Sequence, residues 1–417
     1  MNPRIPPEIT DIFVDFLHDD TPSLLTSSLV CRAFLPSARH HLFRAVTLDV
    51  ATRPPSSSSS YSRVAESFLD FLVDAPHIGA LVRTLSLRGN VNGRVVGGET
   101  ETETDAGVVR GILRHVPRLN TLVLDSLYWK LSPSGTLPIP DCTTSCPRTL
   151  VIRNMAVRGW SGAAVFTTEA VVDLLSHFKG ISDLEVDSTA LDVDVVHDRN
   201  TVSHALATSL RGLALERLVC RQSTSLVSLL QITSARDQDQ DQGLRLRSVG
   251  LQVGFLSDAY ASRSFLVQVG PYLQDLTLDM VNPHHRISPD TLERTYGAGL
   301  SHCTRLETLR VNVDTRRDSK SGLSLLAGLL RRCAPPGLRR LTITMVDTDT
   351  STDTGSELEG LDACVGAAES MEVDKLEVVR EVRSEDGSVV RRGAVVGGWE
   401  EAWESSCRRG GVGQLSL

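Results

Sequence analysis

Hydrophobic positions in this chain follow two rhythms. Over residues 4–45 they step by three and four: Ile9, Ile12, Phe13, Phe16 and Leu17, then Leu24, Leu25, Leu29 and Val30, then Leu42 and Phe43. That spacing marks helical faces. Pro7, Pro22 and Pro36 each stand where a first helical turn tolerates proline, and Asp19, Asp20 and Thr21 offer caps before the second helix. Three short helices are predicted. Their apolar residues run round more than one side of each helix, an excess that wants cover from the rest of the chain or from another protein.

From Phe43 onward the pattern becomes apolar-x-x-apolar-x-apolar. It opens as Phe43-Arg44-Ala45-Val46-Thr47-Leu48 and returns at Val82–Leu87, Leu119–Leu124, Ile181–Val186, Leu215–Cys220, Leu246–Leu251, Leu273–Leu278, Leu306–Val311, Leu338–Ile343 and Val373–Val378, with a partial copy at Arg148–Ile152. The fourth positions fall at 46, 85, 122, 150, 184, 218, 249, 276, 309, 341 and 376. Self-similarity at that period signals a solenoid, in which each unit buries its apolar face against its neighbours. The period-two ending of each copy predicts a short strand. Between copies, helical spacing recurs at Val64–Val73, Val171–Phe178, Leu226–Ile232, Ser264–Tyr272 and Leu323–Leu330. The expected fold class is therefore α/β, with short parallel strands alternating with helices behind a three-helix head. The copies resemble the Leu-x-x-Leu-x-Leu-x-x-Asn of leucine-rich repeats in an irregular form. Only Asn90 occupies the Asn position; Leu127, Ser223 and Val281 stand there in other copies.

Composition shifts divide the chain further. Residues 52–60 (Pro54-Pro55 and five serines) read as a flexible connector, 90–105 as an exposed loop rich in Gly, Thr and Glu, and 130–147 as a Pro/Ser/Thr-rich insertion. Residues 236–242 and 347–356, alternating Asp with Gln or Thr, read as solvated. After Val390 the pattern fades, and Trp399 and Trp403 suggest a short sealing helix. The expected organisation is a helical domain over 1–45, a repeat body over 46–390 and a cap or tail over 391–417.

The head has a family resemblance of its own. Ile5-Pro6-Pro7-Glu8-Ile9 resembles the Leu-Pro-x-Glu opening of the F-box, Leu24-Leu25 its central pair, and Leu29-Val30-Cys31-Arg32-Ala33-Phe34 its Leu-Val-Cys-Arg-x-Trp block. Ile5 replaces the usual Leu and Phe34 the usual Trp, both keeping bulk and apolarity. The resemblance covers about a tenth of the chain. It implies docking on a Skp-type adaptor, and through it a cullin scaffold, by Pro7, Ile9, Ile12, Leu17, Leu24, Leu25, Leu29, Val30 and Phe34.

Composition narrows the remaining classes. The 417 residues carry a net charge of -8 with arginines mixed among acids, which gives no basic field for nucleic acid. No apolar run reaches the roughly 18 residues of a membrane span, and nothing before Ile5 resembles a signal peptide. Reduced thiols in the cytosol or nucleus are expected from eight scattered cysteines. Cys142 and Cys146 form the only close pair, with no second pair at zinc-finger spacing, and His40-His41 and His284-His285 are adjacent pairs whose side chains point apart. There is no phosphate-cradling glycine motif, nucleophile elbow or His-Glu-x-x-His. The expectation is a non-enzymatic chain with no catalytic residues, metal or cofactor. Lysine is rare: Lys130, Lys179, Lys320 and Lys375 are the only ones, and the other 39 of the 43 basic residues are arginine. Biased coding is the plain cause, and protection from self-ubiquitination the pointed one.

What remains is surface. On each strand the residues between the buried positions face outward. Asp183, Glu185, Asp187, Arg217, Arg221, Asp275, Asp279, Arg310 and Arg340 are the candidates for holding an unidentified target protein on the concave face that solenoids commonly use. The three acids followed by two arginines suggest alternating charged stripes. Together these readings favour a substrate receptor of an SCF-type ubiquitin ligase. The rival is a repeat scaffold whose N-terminal helices only cap the solenoid, and it requires Leu29 and Val30 to be buried.

Overall fold

Proline sets the helix starts as the sequence predicts. In the computed structural model of the protein, α1 runs Pro7–Asp15, α2 Thr21–Val30 and α3 Leu35–Arg44, each with proline in its first two positions. Asp20 caps α2, accepting from the Ser23 N–H at 3.2 Å. The structure describes residues 6–50, 63–89, 103–130, 147–153, 156–158, 164–165, 175, 178, 180–187, 213, 215–221, 246–252, 256–280, 296–314, 323, 326–331, 335–347, 361, 363–368, 373–383 and 389–395. Asn90, Ser223, Val281, Trp399, Trp403, the Cys142/Cys146 pair, His284-His285, the stretches 52–60 and 236–242, and the helix expected over 226–232 lie outside them.

The chain divides into two compact units, Met1–Ala214 and Leu215–Leu417. In the first, the strands are β1 (Ala45–Asp49), β2 (Thr84–Arg88), β3 (Glu103–Asp105), β4 (Thr121–Asp125), β5 (Tyr128–Lys130), β6 (Thr149–Arg153), β7 (Ala156–Arg158), β8 (Ala164–Val165) and β9 (Asp183–Asp187). Helices α4 (Arg63–Asp74), α5 (Pro76–Gly79) and α6 (Ala106–His115) lie between them. Strands β1, β2, β4, β6 and β9 pair in that order, all parallel. Their register stacks like on like: Leu85 beside Leu122, Leu150 and Leu184, and Leu87 beside Leu124, Ile152 and Val186. All eight are buried. The six-residue motif is thus one rung of a continuous apolar stack, which explains why it returns.

The second unit repeats the design. Strands β10 (Arg217–Arg221), β11 (Ser248–Gln252), β12 (Asp275–Met280), β13 (Thr308–Asp314), β14 (Arg340–Asp347) and β15 (Lys375–Arg383) pair in parallel, and β16 (Val389–Val395) closes the series antiparallel to β15. Leu218, Val249, Leu276, Leu309, Leu341 and Leu376 fall in one register. Helix α7 spans Leu256–Val269.

The structure departs from the sequence reading in two of these elements. Helix α7 begins well before the expected Ser264, because between Leu256 and Phe265 only Tyr260 is large and apolar, so the period is silent there; Tyr272 lies in a separate 3-10 turn. The stretch 90–105 ends not as a loop but in β3, which joins β5, β7 and β8 in a small second sheet. The Glu-Thr-Asp sequence of β3 has no apolar alternation to reveal it.

Candidate functional site

Helix α1 presents its larger apolar stripe outward. Ile9, Ile12, Phe13 and Phe16, spaced i, i+3, i+4 and i+7, are all exposed, Phe16 by 81%. The opposite side turns Thr10 and Val14 inward. Val14 meets Leu24 of α2 and Ala38 of α3 in a small core, with Leu17, Phe34 and Leu42 packed against it. On α2, Leu25, Leu29 and Val30 are exposed, the last two by 86% and 66%. Covering a large apolar side chain completely is worth roughly 1.5–3 kcal/mol, so seven exposed ones on two short helices are a substantial unused resource.

The nine residues expected to meet an adaptor therefore separate. Ile9, Ile12, Leu25, Leu29 and Val30 face outward. Leu24 does not: it is 1% exposed and belongs to the head's own core, and Leu17 and Phe34 are half-buried beside it. Helical spacing alone cannot say which of two apolar stripes points in; the core needs one, and Leu24 supplies it. Pro7 begins α1. Phe13 and Phe16 share this outward face without belonging to the expected set, and their spacing from Ile9, with Ile12, marks them in the sequence.

Polar bonds fix how α1 sits on α3. The Ser37 hydroxyl donates to the Asp11 carboxylate, and His41 Nε2 lies 2.7 Å from Asp15 Oδ1. The neighbouring His40 is held below its ordinary value first by burial and then by the positive charges of His41, Arg44 and Arg83, against a pull upward from Asp15. The head is joined to its unit without a spacer: Arg44 ends α3 and Ala45 begins β1. The Arg83 N–H donates to the Arg44 carbonyl at 2.9 Å. Phe43 stacks on Phe71 of α4, and Phe71 on Phe68, each pair with ring centres 6.2 Å apart.

The second candidate surface is the outward side of the strands. In the first unit the acids of β9 are half-buried and engaged by the preceding strand segment: Arg148 Nε lies 3.6 Å from Asp183, and Arg153 donates to Glu185 at 3.2 Å. Arg88, Asp125, Arg153 and Asp187 share one register, so charges alternate from strand to strand. The middle register is drier, with Ser86 and Val151 buried beside Val123. In the second unit Arg217 and Arg221 flank β10, exposed at both ends. Asp275 and Arg340 share a register with Thr308 between them, while Arg310 lies in the next register beside Thr277 and Thr342. Asp279 is half-buried on β12, beside Asn312. The nine target-binding candidates thus occupy outward strand positions: three side by side on β9 in the first unit, and six spread over β10, β12, β13 and β14 in the second.

No protein-family model and no curated protein matches the sequence. Among solved structures the chain is similar to the "Crystal structure of Rad7 and Elc1 complex in yeast", at 14% identity and a TM-score of 0.33, over 86% of this chain and 79% of that one. A likeness of that size bears on neither family nor activity.

The described residues contain no group of three or more His, Cys, Asp or Glu side chains placed to hold a metal ion. Among the same residues, no helix is long and apolar enough to cross a membrane. Cys220, Cys303 and Cys364 are buried, and burial pushes each thiol up to about 12. Cys31 is exposed in the turn after α2.

Proposed function

We propose that the chain is the substrate-recognition subunit of an SCF-type cullin-RING ubiquitin ligase. The outward apolar faces of α1 and α2 dock on a Skp-type adaptor, which links the chain to a cullin scaffold, and the outward strand faces hold a target protein. The chain itself does no bond chemistry. It acts by proximity, raising the effective concentration of a target lysine at the ubiquitin donor. One observation carries the reading: the head completes its own core with Val14, Leu24 and Ala38 and still turns seven large apolar residues of α1 and α2 away from it. The F-box resemblance of residues 4–45 supports the same reading. A head that only capped the repeats would cover Leu29 and Val30, so their exposure speaks against that rival.

The test is co-purification of a Skp-type adaptor with the full chain, wild type against Leu29→Asp, Val30→Asp. Both residues are exposed, so folding is expected to survive, and a charge on the apolar face is expected to abolish recovery. Equal recovery from both proteins, or none from the wild type, overturns the proposal.

A further inference from the structure

The rotation of α1 about its own axis is opposite to the one its apolar residues favour. With about 3.6 residues per turn, Ile9, Ile12 and Phe16 lie roughly 140–160° around the helix axis from Val14 and Phe13 about 100°; Val14 is the one large apolar residue of α1 that is fully buried. Hydrophobic burial alone would roll the helix to put the four inside. A polar feature opposes the roll. Asp11 and Asp15 are four apart on α1, Ser37 and His41 are four apart on α3, and each acid meets its counterpart. Spacings that match on two packed helices make two rungs of one ladder, and both rungs hold only when the apolar stripe faces outward.

We propose that this ladder is a rotational lock: Asp11, Asp15, Ser37 and His41 are positioning residues that keep the docking face of α1 presented. When both rungs break, α1 rolls and buries the stripe against its own head. The inference rests on the proposed function only for what the face binds; the lock itself is a property of the head.

The experiment uses the full chain with Cys31→Ser and Phe16→Cys, and follows alkylation at position 16 by peptide-resolved mass spectrometry. Loss of two net hydrogen bonds in Asp11→Ala, Asp15→Ala is expected to slow labelling roughly three- to tenfold. Asp11→Asn, Asp15→Asn, whose side-chain carbonyls still accept from Ser37 and His41, is expected to restore the wild-type rate. Should the alanine pair not fold, Ser37→Ala with His41→Phe breaks the same rungs from the α3 side. Labelling that is unchanged refutes the lock, and labelling that accelerates shows α1 detaching rather than rolling and refutes it too. Adaptor recovery is measured in parallel with Phe16 intact. Slower labelling in the alanine pair without adaptor recovery by wild type leaves the lock standing and removes the ligase assignment; unchanged labelling with normal recovery does the reverse.

Discussion

Leu24 and Leu29 are the same residue type on one ten-residue helix, yet one is buried and the other 86% exposed. The energetic difference should be large. Leu24→Ala removes a packed side chain between α1 and α3 and is expected to cost roughly 2–4 kcal/mol; Leu29→Ala is expected to stay within about 0.5 kcal/mol. Hydrogen exchange of the α2 amides, which reads local opening, checks both: protection falls in the first variant and holds in the second. This contrast also shows where the sequence is legible and where it is not. Both leucines match the F-box pattern, and both lie on apolar spacings, so nothing local separates them. What separates them is which side meets Val14 and Ala38, a fact of tertiary packing. Phe13 and Phe16 are legible by spacing, but they fall outside the motif blocks that carry the resemblance.

At the level of elements, strands were easier to read than helices. Each strand of the parallel series occupies the end of a six-residue motif, because the stack admits side chains only at alternate positions and Leu, Ile and Val fill them. A helix needs fewer fixed apolar positions than the stack does, so the start of α7 leaves no mark in the sequence. The approach of neighbouring repeats shows a second constraint that periodicity hides. Gly89, directly after β2, donates its N–H to the Asp125 carbonyl at 2.8 Å, and a methyl group on it would drive into the Ser126 carbonyl. The obstacle is backbone, which cannot swing aside. Gly89→Ala is therefore expected to destabilise the first unit by more than about 2 kcal/mol, seen as a lower urea midpoint, whereas Gly366→Ala, which meets nothing nearby, is expected to leave the midpoint in place.

For the molecule as a whole, burial sorts the chemistry. The chain has eight cysteines; three of the four described ones are sealed in the interior with thiols pushed up to about 12, and Cys31 stands in the open. Iodoacetamide at pH 8 is expected to modify Cys31 in the folded chain and to reach Cys220, Cys303 and Cys364 only after denaturation, as peptide mass spectrometry would show. The same scale limits what the sequence reveals about target recognition. Outward strand positions follow from alternation, but the partners of Asp183 and Glu185, which are Arg148 and Arg153 on the preceding strand segment, follow from three-dimensional register.

The seam between Arg44 and Ala45 has a geometric consequence. Most insertions in a repeat protein are absorbed by the turns between helix and strand, but here a helix becomes a strand from one residue to the next. Adding a single residue would turn the head by about 100° relative to β1, swinging whatever it carries to a different bearing. Length at this junction is thus an angular setting, and the chain holds it by leaving no slack.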